Sequence, residues 1–276
     1  MRIARLVRPK VILIENVLNL RTMKFPKTGK PFAEQIADEI RQLGYTVLHD
    51  IFRVCHFGVP QTRRRFVFVG FLGAAPSGYH FPQPGAENSI RSYLYDLGQN
   101  DSIRLSNHEP VWGFGSAVHV ETGLPFAPGC ESIPVRLSRT ASDGNPIRSF
   151  DEPFPAVDTA TVWGWGQGNV TARRVEKDRR TERFIRSPDA NVTLWRVSAS
   201  RLRAFTHREY ARLQTFPDDW VFHGRSKRDV QLQIGNAVPV RFAQCLARSV
   251  RLALEAMESG GDFFDEHARL IQPSLF

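Results

Sequence analysis

The chain has 276 residues, 42% of them hydrophobic and 24% charged, which is enough apolar material for a sizeable core and excludes wholesale disorder. Its 20 glycines and 18 prolines are scattered rather than periodic, so a fibrous repeat is excluded. No apolar run approaches the length of a membrane span, and the short run after Pro9 is too brief for a secretory signal. The net charge is +9, with 31 Arg against 6 Lys. Arginine suits bidentate contact with phosphate or guanine, but GC-rich coding gives the same bias, so charge alone leaves nucleic-acid binding open.

Three cysteines, Cys55, Cys130 and Cys245, are far apart and show no CxxC spacing. This argues against a disulfide framework and a Cys-type zinc site, and it points to a reducing cytoplasm. The eight histidines show no HxxxH or HExxH spacing, so no metal site is expected.

Residues 2–8 read as the last turns of an amphipathic helix ended by Pro9, with Ile3, Leu6 and Val7 on one side. Met1 then falls inside a helix with no cap before it, and the expectation is a chain that begins part-way through an element. VILIE (11–15) is a continuous apolar run closed by an acid, the pattern of a strand buried on both faces of a parallel sheet. Pro31 opens a helix with Phe32, Ile36, Ile40 and Leu43 at helical spacing, and Gly44 stops it. Strands are expected at 45–52 and 65–71, separated by the turn GVPQTRRR. Strand, helix, strand, turn and strand read as half of an open α/β sheet.

From about 72 to 200 no helical period persists, and short strands with loops fit best. Residues 171–203 hold ten Arg/Lys against four Asp/Glu. A solvated basic face and a groove along a phosphate backbone both fit; Arg173, Arg174, Arg179 and Arg180 are the candidate DNA contacts. Thr206 and Glu209 form a T-x-x-E capping box opening a helix closed by Pro217, and Ser226 caps a second through Gln233. GNAVP (235–239) reads as a sharp loop. Pro239 starts a last helix to about Met257, with Val240, Ala243, Leu246, Val250 and Leu254 inward.

Several residues could carry chemistry. Glu15 sits at the carboxyl end of an apolar strand, where ligands of open α/β sheets bind, and partial desolvation would favour its protonated form. In QTRRR, Gln61, Arg63 and Arg65 alternate, so on an extended chain they share one face. Two guanidiniums there could hold a carboxylate, a phosphate or a base carbonyl; a basic strand end in water gives the same pattern. Asn236, in GNAVP, combines a hydrogen-bonding side chain with a helix start. Trp163 and Trp165 could stack on bases, but local core is the simpler reading.

Taken in order, IENV, GVPQTRRRFVFVGF, a variable stretch, RAFTHREYARLQTFPDDWVF and QIGNAVPV resemble the bacterial DNA (cytosine-5) methyltransferases of restriction–modification systems. SNHEP (106–110) and DEPFPAVDTA (151–160) also fit. The resemblance implies a partial doubly wound, Rossmann-like α/β sheet with an inserted small β-rich target recognition domain. It places part of the catalytic domain at 1–71, target recognition at 72–200 and a helical hinge at 201–234. A final helix returns to the catalytic domain at 235–258, and 259–276 is a loose tail. It implies duplex DNA as partner, S-adenosyl-L-methionine as cofactor, and a cytoplasmic, nucleoid-associated protein with no membrane or metal partner.

The same resemblance implies the roles. The target cytosine is flipped out of the duplex. A thiolate adds to ring carbon 6, a glutamic acid donates a proton toward ring nitrogen 3, and carbon 5 takes the methyl group. Glu15 matches the proton donor, and Arg63 and Arg65 match the fork that holds the ring, with Gln61 as scaffold. Asn236 and Val238 match part of the cofactor wall. The Arg203, Arg208, Glu209, Arg212, Leu213 and Gln214 set is architectural. The family's Gly-rich FxGxG-type loop and its Pro-Cys nucleophile have no counterpart in these residues. Cys55 lies near the Gln-Arg block but matches a small residue of the family on another strand, so no nucleophile is assigned. The expectation is a carboxyl-terminal half completed by an amino-terminal polypeptide, or a truncated reading frame, inactive alone. The alternative is a non-catalytic, sequence-selective DNA-binding remnant.

Overall fold

The computed structural model describes residues 1–100, 102–110, 113–116, 120–121, 132–136, 151–159, 163–167, 171–174 and 194–265. The chain forms two compact units: Met1–Asn88 with Val238–Leu275, and Ser89–Ala237.

In the first unit, helix α1 (Arg2–Val7) precedes strand β1 (Val11–Val17). Helix α2 (Phe32–Arg41) leads to β2 (Tyr45–Arg53), and β3 (Arg64–Leu72) completes the sheet. The strand order is β1-β3-β2, and β3 runs antiparallel to both neighbours. The helical crossover thus joins two strands of like direction, and β3 is inserted between them. The expectation of a purely parallel setting for VILIE is corrected. Among the described residues β1 pairs only with β3, so it is half-buried, with Leu13 and Val17 exposed.

The faces of β3 follow from the two-residue period of a strand. Phe66 and Phe68 pack with Ala33 and Ala37 of α2. Val67, Val69 and Phe71 point the other way, into a cluster with Phe242, Leu246 and Ala253. These last residues belong to helix α6 (Val240–Ser259), with Pro239 at its N-cap and Gly260 in the left-handed conformation that ends it. Phe242 touches the rings of Phe52 and Phe57 at 5.4 and 5.6 Å. This aromatic contact sets the helix's rotation. The buried stripe is Phe242, Cys245, Leu246, Ser249, Ala253 and Ala256, and the expected inward Ala243 is exposed. Phe263, in the stretch expected to be loose, is buried against Tyr79, and its N–H donates to Ser77 O at 2.9 Å. Ile3, Leu6 and Val7 of α1 are all more than two-thirds exposed.

The second unit holds helix α3 (Arg91–Gln99), which the sequence reading misses. It is a single short helix in a Gly- and Asn-rich stretch, and its Tyr93, Leu94 and Leu97 are buried. A six-stranded sheet follows: β4 (Gly113–Ser116), β5 (Val120–Glu121), β6 (Ser132–Arg136), β7 (Trp163–Gln167), β8 (Thr171–Arg174) and β9 (Leu194–Ala204). Its order is β4-β9-β7-β6, with β5 and β8 also pairing β9.

Helices α4 (His207–Leu213) and α5 (Lys227–Asn236) both start in capping boxes, Thr206 with Glu209 and Ser226 with Asp229. Helix α5 runs through Gly235 and Asn236, so the expected GNAVP loop is shortened to Ala237–Pro239. Gly235 is needed there, because a Cβ would come within 3.0 Å of Thr159 and the Asp158 carbonyl. Trp163 and Trp165 are core residues of this unit, packed with Phe154, Phe205, Tyr210 and Leu213. Among the described residues no helix is long and apolar enough to cross a membrane.

Candidate active site

Glu15 and Arg65 meet on one face of the first sheet. Glu15 lies opposite Val67 in the antiparallel register, and Arg65 is two residues before Val67 on the same strand. Residues two apart on a strand share a face, so the carboxylate and the guanidinium converge diagonally. Glu15 Oε1 lies 2.5 Å from Arg65 Nε, with the side chains only 21% and 11% exposed. Arg65 Nη1 donates to the Arg64 carbonyl at 2.9 Å, which steadies the other arm of the fork.

The pair is poorly solvated, and burial is the largest influence on both pKa values. Desolvation raises the Glu15 pKa above the ordinary carboxylate value, and the opposing attraction of Arg65 does not overcome it. Desolvation likewise lowers the Arg65 pKa, with Glu15 opposing. A carboxyl group held this way retains its proton to higher pH and is suited to donate it.

The preceding residues are fixed from below. Gln61 is fully buried and its N–H donates to Val59 O at 2.9 Å. Arg63 is buried and its carbonyl accepts from Val54 N at 2.9 Å. Arg64 is exposed. Gln61 and Arg63 are thus buried ahead of β3, Arg64 is exposed, and Thr62 and Arg65 are half-buried. Beside Glu15, the Asn16 side chain accepts from Val17 N at 2.8 Å, a local turn that closes the strand end.

The other predicted residues are less convergent. Asn236 is exposed at the end of α5 in the second unit. Val238 is half-buried in the first unit, packed against the Phe52 and Phe242 cluster. Arg173 and Arg174 lie on β8, in register with Arg196 and Trp195 of β9. Arg179 and Arg180 lie outside the described residues, as does Cys130. Cys55 and Cys245 are buried, and desolvation pushes each thiol pKa up to about 11. Burial thus disfavours the thiolate form of each.

The family model for C-5 cytosine-specific DNA methylase matches residues 1–251. The chain belongs to this family. It is 27% identical to the type II methyltransferase M.NgoFVII of Neisseria gonorrhoeae over 99% of this chain and 66% of that one. It is 29% identical to M.Eco47II of Escherichia coli over 90% of this chain and 55% of that one. It thus spans between about half and two-thirds of the length of these relatives. Among solved structures, a prophage-encoded DNA modification methyltransferase of E. coli aligns with a TM-score of 0.51 at 16% identity, covering 92% of this chain and 72% of that one. That likeness is one of fold alone.

Proposed function

We propose that this chain is the carboxyl-terminal part of a DNA (cytosine-5) methyltransferase of a restriction–modification system. The observation that carries the reading is the desolvated Glu15 carboxyl beside Arg65, on the strand-end motif that matches the family. In this reading a cytosine flipped from the duplex enters over β1 and β3. Glu15, whose hold on its proton burial strengthens, donates a proton toward ring nitrogen 3. Arg65 and Arg63 orient the ring and hold Glu15 in place, and buried Gln61 fixes the backbone beneath them.

S-adenosyl-L-methionine supplies the methyl group when bound. The exposed carboxamide of Asn236 offers a polar contact, and the half-buried Val238 side chain an apolar one. Each side chain, taken by itself, has the chemistry that suits part of such a cofactor's wall. In this reading the thiolate that attacks carbon 6 and the glycine loop for the cofactor come from outside these residues. Residues 72–200, including Arg173, Arg174, Arg179 and Arg180, serve target recognition on duplex DNA. The protein works in the bacterial cytoplasm, on the nucleoid.

The test is complementation. The chain alone binds duplex DNA weakly and transfers no labelled methyl group. Supplying an amino-terminal half with the glycine loop and the Pro-Cys restores transfer, and Glu15→Gln then abolishes or severely reduces it. Full activity in Glu15→Gln overturns the role of Glu15. DNA binding without any restored transfer favours the non-catalytic recognition module.

A further inference from the structure

Away from the Glu15 and Arg65 pair, the first unit brings a thiol, an imidazole and a carboxylate together. Cys55 and His56 are consecutive residues of the 3-10 turn Val54–His56, which follows β2. Glu87 lies on the loop beyond β3. One donor atom from each of the three falls within 4.8 Å of the others.

Backbone carbonyls of both segments anchor the arrangement. Gly85 N donates to His56 O, and Asn88 N to Cys55 O, each at 2.9 Å. The Asn88 side chain donates to the same Cys55 carbonyl at 2.9 Å. His56 Nδ1 lies 3.0 Å from Gly85 O. A carbonyl only accepts, so Nδ1 carries a proton, and in the neutral tautomer the lone pair sits on Nε2. Such a partner on the far nitrogen is how metal-binding histidines are oriented.

That lone pair faces another acceptor. Nε2 lies 3.7 Å from Glu87 Oε1, and Cys55 Sγ lies 3.8 Å from the same oxygen. The first is too long for a good N–H···O contact, and the second is a weak S–H···O hydrogen bond in which the Cys55 thiol donates. Both separations are close to the edges of a tetrahedron around zinc, where bonds of about 2.3 Å to sulfur and about 2.0–2.1 Å to nitrogen or oxygen put donor atoms roughly 3.3–3.6 Å apart. We propose that Cys55, His56 and Glu87 bind a zinc ion, with water as the fourth ligand on the open side.

The charges balance. Binding breaks the S–H bond of Cys55 and forms bonds from the ion to sulfur, nitrogen and oxygen; the proton passes to solvent. Thiolate and carboxylate together neutralise the dication. Arg53 Nη1, now 2.9 Å from Glu87 Oε1, stays compatible, because a carboxylate has two oxygens and turns one to each cation. Sulfur approaches from the buried side, while the His56 and Glu87 side chains are 28% and 41% exposed, which leaves an entry path and room for water. The ion staples the 85–88 loop to the turn that leads into Gln61 and Arg63. Sequence spacing hides the site, because two ligands are adjacent and the third is 31 residues further on.

Cobalt titration of the metal-stripped full chain tests it. The expected result is one Co2+ bound per chain, with a thiolate charge-transfer band and tetrahedral d–d bands that Zn2+ abolishes. Cys55→Ser removes the charge-transfer band, while Cys130→Ser and Cys245→Ser keep it. Glu87→Gln, at an exposed position, weakens binding by about tenfold or more. No band, or a band indifferent to both Cys55→Ser and Glu87→Gln, overturns the proposal. The readout needs neither DNA nor methyl transfer, so it stands or falls apart from the methyltransferase reading.

Discussion

Glu15 and Arg65 are joined across two antiparallel strands, 2.5 Å apart, with neither side chain well solvated. Burial raises the Glu15 pKa, and the Arg65 charge only partly restrains the rise. Replacing Arg65 by Met removes the restraint and leaves desolvation alone, so the Glu15 pKa climbs further. Carbon-13 NMR of the side-chain carboxyls measures this directly. Wild-type Glu15 titrates above the ordinary value of 4.5, and higher again in Arg65→Met. A fall in the variant would show that Arg65 is not the group opposing the shift.

The same shift has a sign for stability. A carboxyl whose pKa is raised on folding binds its proton more tightly in the folded state than in the unfolded one. Its contribution favours folding below the unfolded value of 4.5 and is lost as pH rises through the higher folded pKa. Arg65→Met widens that window at its upper end, so the variant's stability falls over a longer pH span than the wild type's. Urea titrations between pH 4 and pH 8 check it. Equal slopes in the two proteins would mean that Arg65 does not set the Glu15 pKa.

Arg203 and Glu209 form a fully buried pair at 2.8 Å in the second unit. Glu209 Oε1 also accepts from Trp165 Nε1 at 2.7 Å, and Oε2 from Thr206 N at 2.7 Å, while Arg203 Nη2 donates to Leu97 O at 2.9 Å. One carboxylate thus caps α4 and ties down β7, and its arginine reaches α3. Glu209→Ala strands a buried guanidinium and an indole N–H, and the expected cost is about 3–5 kcal/mol. The Arg203→Met, Glu209→Leu double variant costs less than the two single losses added together. Chemical denaturation decides it; a Glu209→Ala loss under about 1 kcal/mol would mean that the pair is solvated.

What was legible in the sequence is local. The Thr206 and Glu209 box depends on neighbours in the chain and reappears in the structure, whereas of the expected α2 stripe only Ile40 is buried, beside Ala33 and Ala37, with Phe32, Ile36 and Leu43 half-buried. What was missed depends on partners far away. The direction of β3 relative to β1 is set by a crossover that no single segment encodes. The buried face of α6 departs from its own periodicity because Phe242 finds Phe52 and Phe57, about 190 residues earlier. Helix α3 was missed because a nine-residue helix ending in Gly98 and Gln99 carries too few turns for a period to register. Glu15 and Arg65 could be named singly from their motifs, but the diagonal that joins them required the register.

Gly98 is the residue that explains the weak signal of α3 and also why it cannot be strengthened. A Cβ at position 98 would sit 2.4 to 2.7 Å from three ring atoms of Trp165. Elsewhere, replacing a helix-interior glycine by alanine gains roughly 1 kcal/mol of helix propensity. Here the ring cannot retreat. Trp165 is fully buried, packed on Phe205 at 5.2 Å and hydrogen-bonded to Glu209. Overpacking of this kind costs about 1–3 kcal/mol and outweighs the propensity gain. Gly98→Ala is therefore expected to lower the melting temperature and to perturb the near-UV tryptophan signal. Gly98→Ala in a Trp165→Leu background should recover much of the loss, because the clashing ring is gone. If Gly98→Ala instead stabilised the protein, the packing of α3 on Trp165 described above would be wrong.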